Sequence, residues 1–522
     1  MASVPPLAEF NVVRGLNYSE SPNSLPLGTL VDARNVRGCQ GRLRTRPGYT
    51  MVKSGGLGAR ARFAFFFRNA AGTVRLIACT PAKMWNYDSA TNTFEDRGDF
   101  ASSADNAYYD AAVWGGTLYL VKRGGDAWKW NGVAAGDFTD VTASLKGPTF
   151  LRAFNSRLLG AHCTVGGNTL AQSLYWSAPD LPENWTGAGS GNETRRALQG
   201  EITGLENVGR GVALFAEESI EMIGETSEAA APYTFTSVEP TLGTGAPHSI
   251  CKLGSPYSGN LAFLGSDLNL HVFTGNRAEA VGYPIHSLLK GIVERDYLAK
   301  AWGRVWDEEG VYMLALPTCG STENNLLIEW QYRENRFFVH DWAGTDKAWT
   351  AAARWVKSSP LTWAQLRTAT TTWAQLRAAG LAWGELRKAT GRREIAFLGS
   401  TGSLVAPWEG TSDNGVAISA YAEFAPTDGG SPDTKELQQL EILDDRLGAS
   451  NVLSVTVKRS MDAGASSQVT TRQHTLGGTQ DPFVDVGDTG RYFGLKFSMA
   501  GLNQVMSLRG LRLWGQKVGE ER

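Results

Sequence analysis

From Ala61 onward, short apolar runs alternate with breaks rich in glycine, asparagine and aspartate. Arg62–Phe67, Thr73–Cys79, Lys83–Asp88 and Thr93–Asp96 read as four successive strands, the last two joined by the polar turn Ser89–Asn92. Ala111–Trp114 and Thr117–Leu120 flank Gly115-Gly116, a pair that takes the positive φ angles of a tight hairpin. Trp128–Gly132 and Asp137–Thr142 complete that unit. The same cadence returns in Leu151–Leu205, Gly211–Val238, Ser249–Val281 and Ala299–Trp342. Val212–Phe215, Leu261–Leu264 and Val311–Leu314 are wholly apolar, which predicts inner strands buried on both faces. Four strands about every 35 to 55 residues predict an all-β chain whose main body is a β-propeller of six to eight blades, over 59–408. Blades bury their faces only against neighbours, so the ring must close. Ile395–Leu398 and Ser403–Ala406 are expected to share the last blade with Trp349–Trp355.

Two segments depart from that cadence. Between the strands of the last blade, 361–390 reads LTWAQLRTAT TTWAQLRAAG LAWGELRKAT. On one continuous helix, ten steps turn a side chain by about 280°, so Trp363, Trp373 and Trp383 would not share a face. Thr362-x-x-Gln365 and Thr372-x-x-Gln375 instead fit capping boxes, which predicts separate short helical units. Trp363, Leu366, Trp373, Leu376, Trp383 and Leu386 either pack on one another or form a partner-docking surface. After a glycine- and aspartate-rich boundary at Glu409–Asn414, the second departure is 409–522. Its strands, predicted at Val416–Tyr421, Leu437–Leu443, Leu453–Arg459, Tyr492–Phe497 and Leu508–Trp514, fit a C-terminal β-sandwich. Gly515–Arg522 is expected to fray.

The N-terminal part, 1–58, is predicted as an extended ribbon leading into the propeller, with proline and glycine at its corners. Arg42, Arg44 and Arg46 alternate with period two, so they are expected on one strand face, as a solvated edge or as an interprotein or DNA-facing interface ring. The spacing GLN…SPN.LP.G…NV…G…RPGY from Gly15 to Tyr49 resembles the start of the nozzle proteins of short-tailed bacteriophages, also called tail tubular protein B or tail hub proteins. Ser173–Pro179 and Pro182–Trp185 continue that resemblance. It implies a virion structural protein of the tail, made in the host cytoplasm and working as a homo-oligomeric ring of six copies. Such a ring extends the portal and adaptor ring, holds a tail fibre, spike or tip protein, and conducts viral DNA during ejection.

Charge fits a conduit better than a clamp. Fifty Lys and Arg against 52 Asp and Glu leave a net charge of -2, with no basic surplus to hold phosphates. A lumen lined by acidic or neutral side chains is expected, without sequence-specific DNA binding. No apolar run reaches membrane-spanning length, and no basic-then-apolar leader opens the chain, so neither stable membrane insertion nor a signal peptide is expected.

Chemistry is sparse. The five cysteines are far apart with no C-x-x-C pair, which predicts reduced, buried thiols. There is no nucleophile elbow, phosphate loop or H-E-x-x-H motif, and no two of the six histidines lie within four residues. Asp481, Asp485 and Asp488 lack the ordered spacing of a calcium loop. No catalytic, cofactor-binding or metal site is assigned and no enzyme activity is expected. Alternatives from other classes are a carbohydrate-active or ligand-binding propeller, whose polar groups would converge at the channel mouth, and a baseplate component of another phage tail type.

Overall fold

The computed structural model describes residues 6–10, 14–89, 91–105, 108–133, 135–228, 231–344, 348–356, 393–444, 451–461, 468–476 and 482–518. The repeat segment 361–390, with Trp363, Leu366, Trp373, Leu376, Trp383 and Leu386, lies outside them. Among the described residues, strands form seven four-stranded antiparallel sheets plus one five-stranded and one six-stranded sheet.

The seven sheets are propeller blades. Blades 1 to 6 span 63–99, 109–140, 148–194, 202–239, 251–280 and 302–340, each with its strands in chain order from the axis outward. Blade 7 takes three strands from late in the chain, Trp349–Val356, Arg393–Gly399 and Leu404–Pro407. Its outermost strand is Tyr49–Lys53, paired antiparallel with Leu404–Pro407. The ring is thus closed by a strand from the N-terminal part. Apolar contacts run unbroken around it: Phe215 with Phe263 joins blades 4 and 5, Trp302 with Phe397 joins 6 and 7, and Ala78 with Leu398 joins 7 and 1. Val212–Phe215, Leu261–Leu264 and Val311–Leu314 lie in the second strands of blades 4, 5 and 6, interior to their sheets and fully buried, as their apolar runs predict. Neighbouring blades cover a second strand on both faces, whereas the innermost strand faces the channel.

The N-terminal stretch is divided between the two bodies. Leu30–Arg34 is an edge strand of the five-stranded sheet with Ala420–Phe424, Tyr492–Met499, Asn451–Ser460 and Gln468–Leu476. Val36–Cys39, Arg42–Thr45 and Ala8–Phe10 join the six-stranded sheet with Ser507–Lys517, Lys435–Asp444 and Phe483–Gly490. These two sheets face each other through alternating side chains such as Leu453, Val455, Val457 and Leu440, Ile442. That core is continuous with Leu264, Leu314 and Trp330 of blades 5 and 6. Between those blades runs a helix, Tyr283–Ile292, with Pro284 in its first turn.

Arg46 corrects the basic-stripe reading. Arg42–Thr45 is an interior strand, flanked by Val36–Cys39 and Ser507–Lys517, so it is no free edge. Arg42 and Arg44 are half-buried on it. Arg46 follows the strand, out of phase, and its side chain is fully buried. Pro47 and Gly48 turn the chain there. Gly48 is obligatory, because a Cβ would sit 1.8 Å from the Ser412 carbonyl oxygen.

Substituting Gly48→Ala is expected to force that turn open and lower the unfolding free energy by about 3 kcal/mol, the upper range for overpacking. Thermal unfolding with near-ultraviolet circular dichroism checks this: blade 7 tryptophans Trp349 and Trp355 should lose their fixed environment first. An unchanged melting curve contradicts the assigned closure.

Candidate functional site: the central channel and the buried charges around the ring closure

Innermost strands from all seven blades line a cavity of about 600 Å³ on the propeller axis. Towards the end where these strands begin, the free space narrows to about 10 Å³ between Arg62, His248, Lys300, Trp302 and Thr350, room for about one water. Charge bridges cross that end. Arg62 donates to both oxygens of Asp105 at 2.6 Å and to Glu323 at 2.7 and 3.0 Å, and Lys300 Nζ reaches Glu323 at 3.3 Å. Burial raises the Glu323 carboxyl, but Arg62 outweighs it and holds the pKa below the usual range.

Deeper in the cavity, the charges nearly cancel. Arg152 donates to Asp110 at 2.6 Å and to Glu206 at 3.1 Å, and Lys252 Nζ lies 3.3 Å from Glu206. The backbone N–H groups of Ala111 and Leu151 also donate to Asp110. Burial is the largest influence on Asp110 and pushes its carboxyl up despite Arg152. Arg354 pairs with Asp307. Arg304 differs: its Nε donates to the Ala352 carbonyl at 2.7 Å, Nη1 to Gly303 at 2.8 Å and Nη2 to Ala64 at 3.4 Å. Those acceptors are neutral. Phe63 and Phe65 form an aromatic wall in the same space, and Phe66 borders it from the other face of the strand.

A second set of buried charges surrounds the ring closure. Arg46 makes a paired contact with Asp413 at 2.8 and 2.7 Å, donates to the Asp341 carbonyl at 2.7 Å, and lies 3.9 Å over the Trp342 ring. Its Nε donates to Asn35 Oδ1 at 2.9 Å. Asn35 holds φ of 56°, a left-handed conformation asparagine tolerates, and its amide donates to the Ser419 carbonyl at 2.8 Å. Beside it, Arg37 donates to Glu329 at 3.2 Å and His340 Nε2 stands 2.8 Å from the other Glu329 oxygen. Burial would raise Glu329, yet the Arg37 charge and the His340 hydrogen bond bring it down to about 2. Burial pushes His340 below its ordinary value of 6.5, against the opposing pull of Glu329.

Of the sequence-predicted positions, Arg46 enters this second set, while Arg42 and Arg44 stay on the six-stranded sheet. Asp110, Arg152, Glu206, Arg304 and Glu329 were missed. Their signal was legible only locally: each is a lone charge inside an otherwise apolar strand, as in Leu-Leu-Ile-Glu329-Trp. The partners of Asp110, Arg152, Glu206 and Arg304 come from other blades, and Glu329 meets Arg37 of the sandwich and His340 of its own blade. Cysteines are mixed: Cys79 and Cys163 are buried, Cys39 and Cys251 half-buried, and Cys319 exposed, which corrects the expectation of uniform burial. Among the described residues, no three His, Cys, Asp or Glu side chains are grouped to hold a metal ion.

No protein-family model matches the chain, and no curated protein matches it. Among solved structures, the extracellular domain of a one-component system from B. thetaiotaomicron aligns with a TM-score of 0.37 and 8% identity. That alignment covers 78% of this chain and 45% of the other, so this chain spans less than half of that protein's length.

Glu329 and His340 make the closure acid-sensitive. Both bind protons more weakly folded than unfolded, so both contributions are complete above the unfolded pKa and are lost as pH falls through the folded one. For His340 the loss begins below 6.5, and for Glu329 it runs from 4.5 down to about 2. His340→Gln, which keeps a donor for Glu329, is expected to reduce the loss of urea-unfolding midpoint between pH 7.5 and 5.5. An identical loss in variant and wild type contradicts the assignment.

Proposed function

We propose that this chain is a structural subunit of a short-tailed phage tail nozzle, one copy of a ring that extends the portal and adaptor channel and conducts DNA during ejection. The observation that carries the reading is that the residues bearing the sequence resemblance are ones on which the fold leans. Arg46 is fully buried on Asp413, Gly48 has no room for a Cβ, and Tyr49 packs edge-on against Trp342 and Trp349. Trp185 from the second resembling phrase is buried between blades 2 and 3. A pattern fixed by such constraints marks a shared fold more strongly than surface residues would.

The cavity bears on the DNA path. At about 600 Å³, and narrowing at one end, it has the size of a small-ligand pocket. A duplex whose major groove alone is about 12 Å wide does not fit. In this reading the conduit is the space enclosed by several copies. Copies joined head to tail close such a ring, and a wall of acidic and neutral side chains lets a duplex slide where many phosphate contacts would hold it. The candidate docking residues of 361–390 keep their proposed role towards a fibre, spike or tip protein. Val356 pairs with Arg393 across the base of that segment, so it leaves and returns at one point on blade 7.

Electron microscopy of the chain mixed with its adaptor ring is expected to show six-fold rings with an acidic or neutral lumen. A monodisperse monomer that hydrolyses a glycan, or a ring with a continuous basic lumen, contradicts the proposal. Replacing 361–390 by a short Gly-Ser linker is expected to leave the propeller folded, since closing a hairpin with a different loop costs little, and to weaken partner attachment. Complete, infectious tails from the deletion remove the docking role; an unfolded chain makes the segment part of the propeller core.

A further inference from the structure

We infer that the axial cavity is a binding site for a small organic anion, a monocarboxylate carrying a flat apolar or aromatic body. This inference stands independently of the nozzle reading. Its size falls in the range of about 300 to 1,000 Å³ that small-molecule sites occupy.

The charge count selects the ligand. Asp110 and Glu206 are matched by Arg152 and Lys252, and Asp307 is matched by Arg354. Among the described lining residues, Arg304 is then the cation with no carboxylate in ion-pair range. Its guanidinium is fixed by carbonyl groups on three innermost strands, Gly303 of blade 6, Ala352 of blade 7 and Ala64 of blade 1. A guanidinium held by neutral acceptors is oriented without being neutralised, and a carboxylate arriving beside it gains a charge-assisted hydrogen bond. One uncompensated positive charge suits a monoanion. A polyanion such as a nucleotide would meet the Asp110 and Glu206 carboxylates at close range.

The walls select the body. Phe63 and Phe65 stack with centroids 6.2 Å apart, and Val113 of blade 2 continues that apolar surface. Phe65 and Val113 are only half-buried, so a flat ring covering them removes apolar area from water and adds ring–ring contact. Other propellers of similar geometry without an oriented, unmatched cation have no reason to prefer acid over amide, and this preference is the testable signature.

The test uses the full chain and three probes in low salt: phenylacetate, its neutral counterpart phenylacetamide, and inorganic phosphate. Saturation-transfer NMR and titration calorimetry are expected to show phenylacetate bound at least about tenfold more tightly than the amide, the value of one hydrogen bond to a charged group, and phosphate unbound. Arg304→Gln is expected to abolish the acid-over-amide preference. Because Arg304 ties three strands together, that variant can fail to fold, and Phe65→Ala gives a second reading: it should weaken both aromatic probes several-fold while keeping the preference for the acid. Equal binding of acid and amide, no binding of either by folded wild type, or phosphate binding as tight as phenylacetate overturns the assignment.

Discussion

The structure depends on one closure. The seventh blade is completed by a strand from the other end of the chain: Tyr49–Lys53 pairs with Leu404–Pro407 and ties the start of the ring to its end. The three residues before that strand set its direction. Arg46 is anchored on Asp413, Asp341 and Asn35, Pro47 restricts the backbone, and Gly48 passes against Ser412. A buried ion pair is weak evidence of net stability, because desolvation offsets much of the attraction, but removing one partner leaves a buried charge and costs about 3 to 5 kcal/mol. The pair therefore specifies the path of the chain more than it adds to the stability of any one sheet.

That path also makes the two bodies inseparable. Residues immediately upstream of the closing strand belong to the sandwich, and Asp413 lies between blade 7 and the next sandwich strand, Ala420–Phe424. Asn35 receives its backbone acceptor from Val339 at the outer strand of blade 6, while Leu16 N–H bonds the Phe337 carbonyl there. Sandwich and blades 5 and 6 share one apolar core. The 409 boundary is therefore not a free linker: the apolar core runs across it from the sandwich into blades 5 and 6.

Legibility in the sequence followed the range of the interactions. Hairpins of blades 1 and 2 were readable because their turns and alternation are local, as was the partnership of Trp349–Trp355 with Ile395–Leu398 and Ser403–Ala406. Assigning Tyr49–Lys53 to blade 7 required a pairing across some 350 residues, for which one strand's pattern carries no information. Arg46 was misread because period two assumes the strand continues; the Arg-Pro-Gly turn ends it at Thr45, and the phase is lost. The helix Tyr283–Ile292 was also missed, a ten-residue element among strands whose burial is supplied by blades it does not resemble. The channel charges escaped for the same reason as the closing strand: blades 2 to 7 each contribute one, and only the ring brings them together.

Amide hydrogen exchange on the intact chain carrying Arg46→Met tests the closure most directly. Loss of protection is predicted at three separated places together: Tyr49–Lys53, Leu404–Pro407, and the sandwich strands Val36–Cys39 and Arg42–Thr45, with blades 2 to 4 unchanged. If protection falls only at the residues touching Arg46 and the outer strands of blade 7 exchange as in wild type, the buried pair does not hold the ring closed and the central claim is wrong.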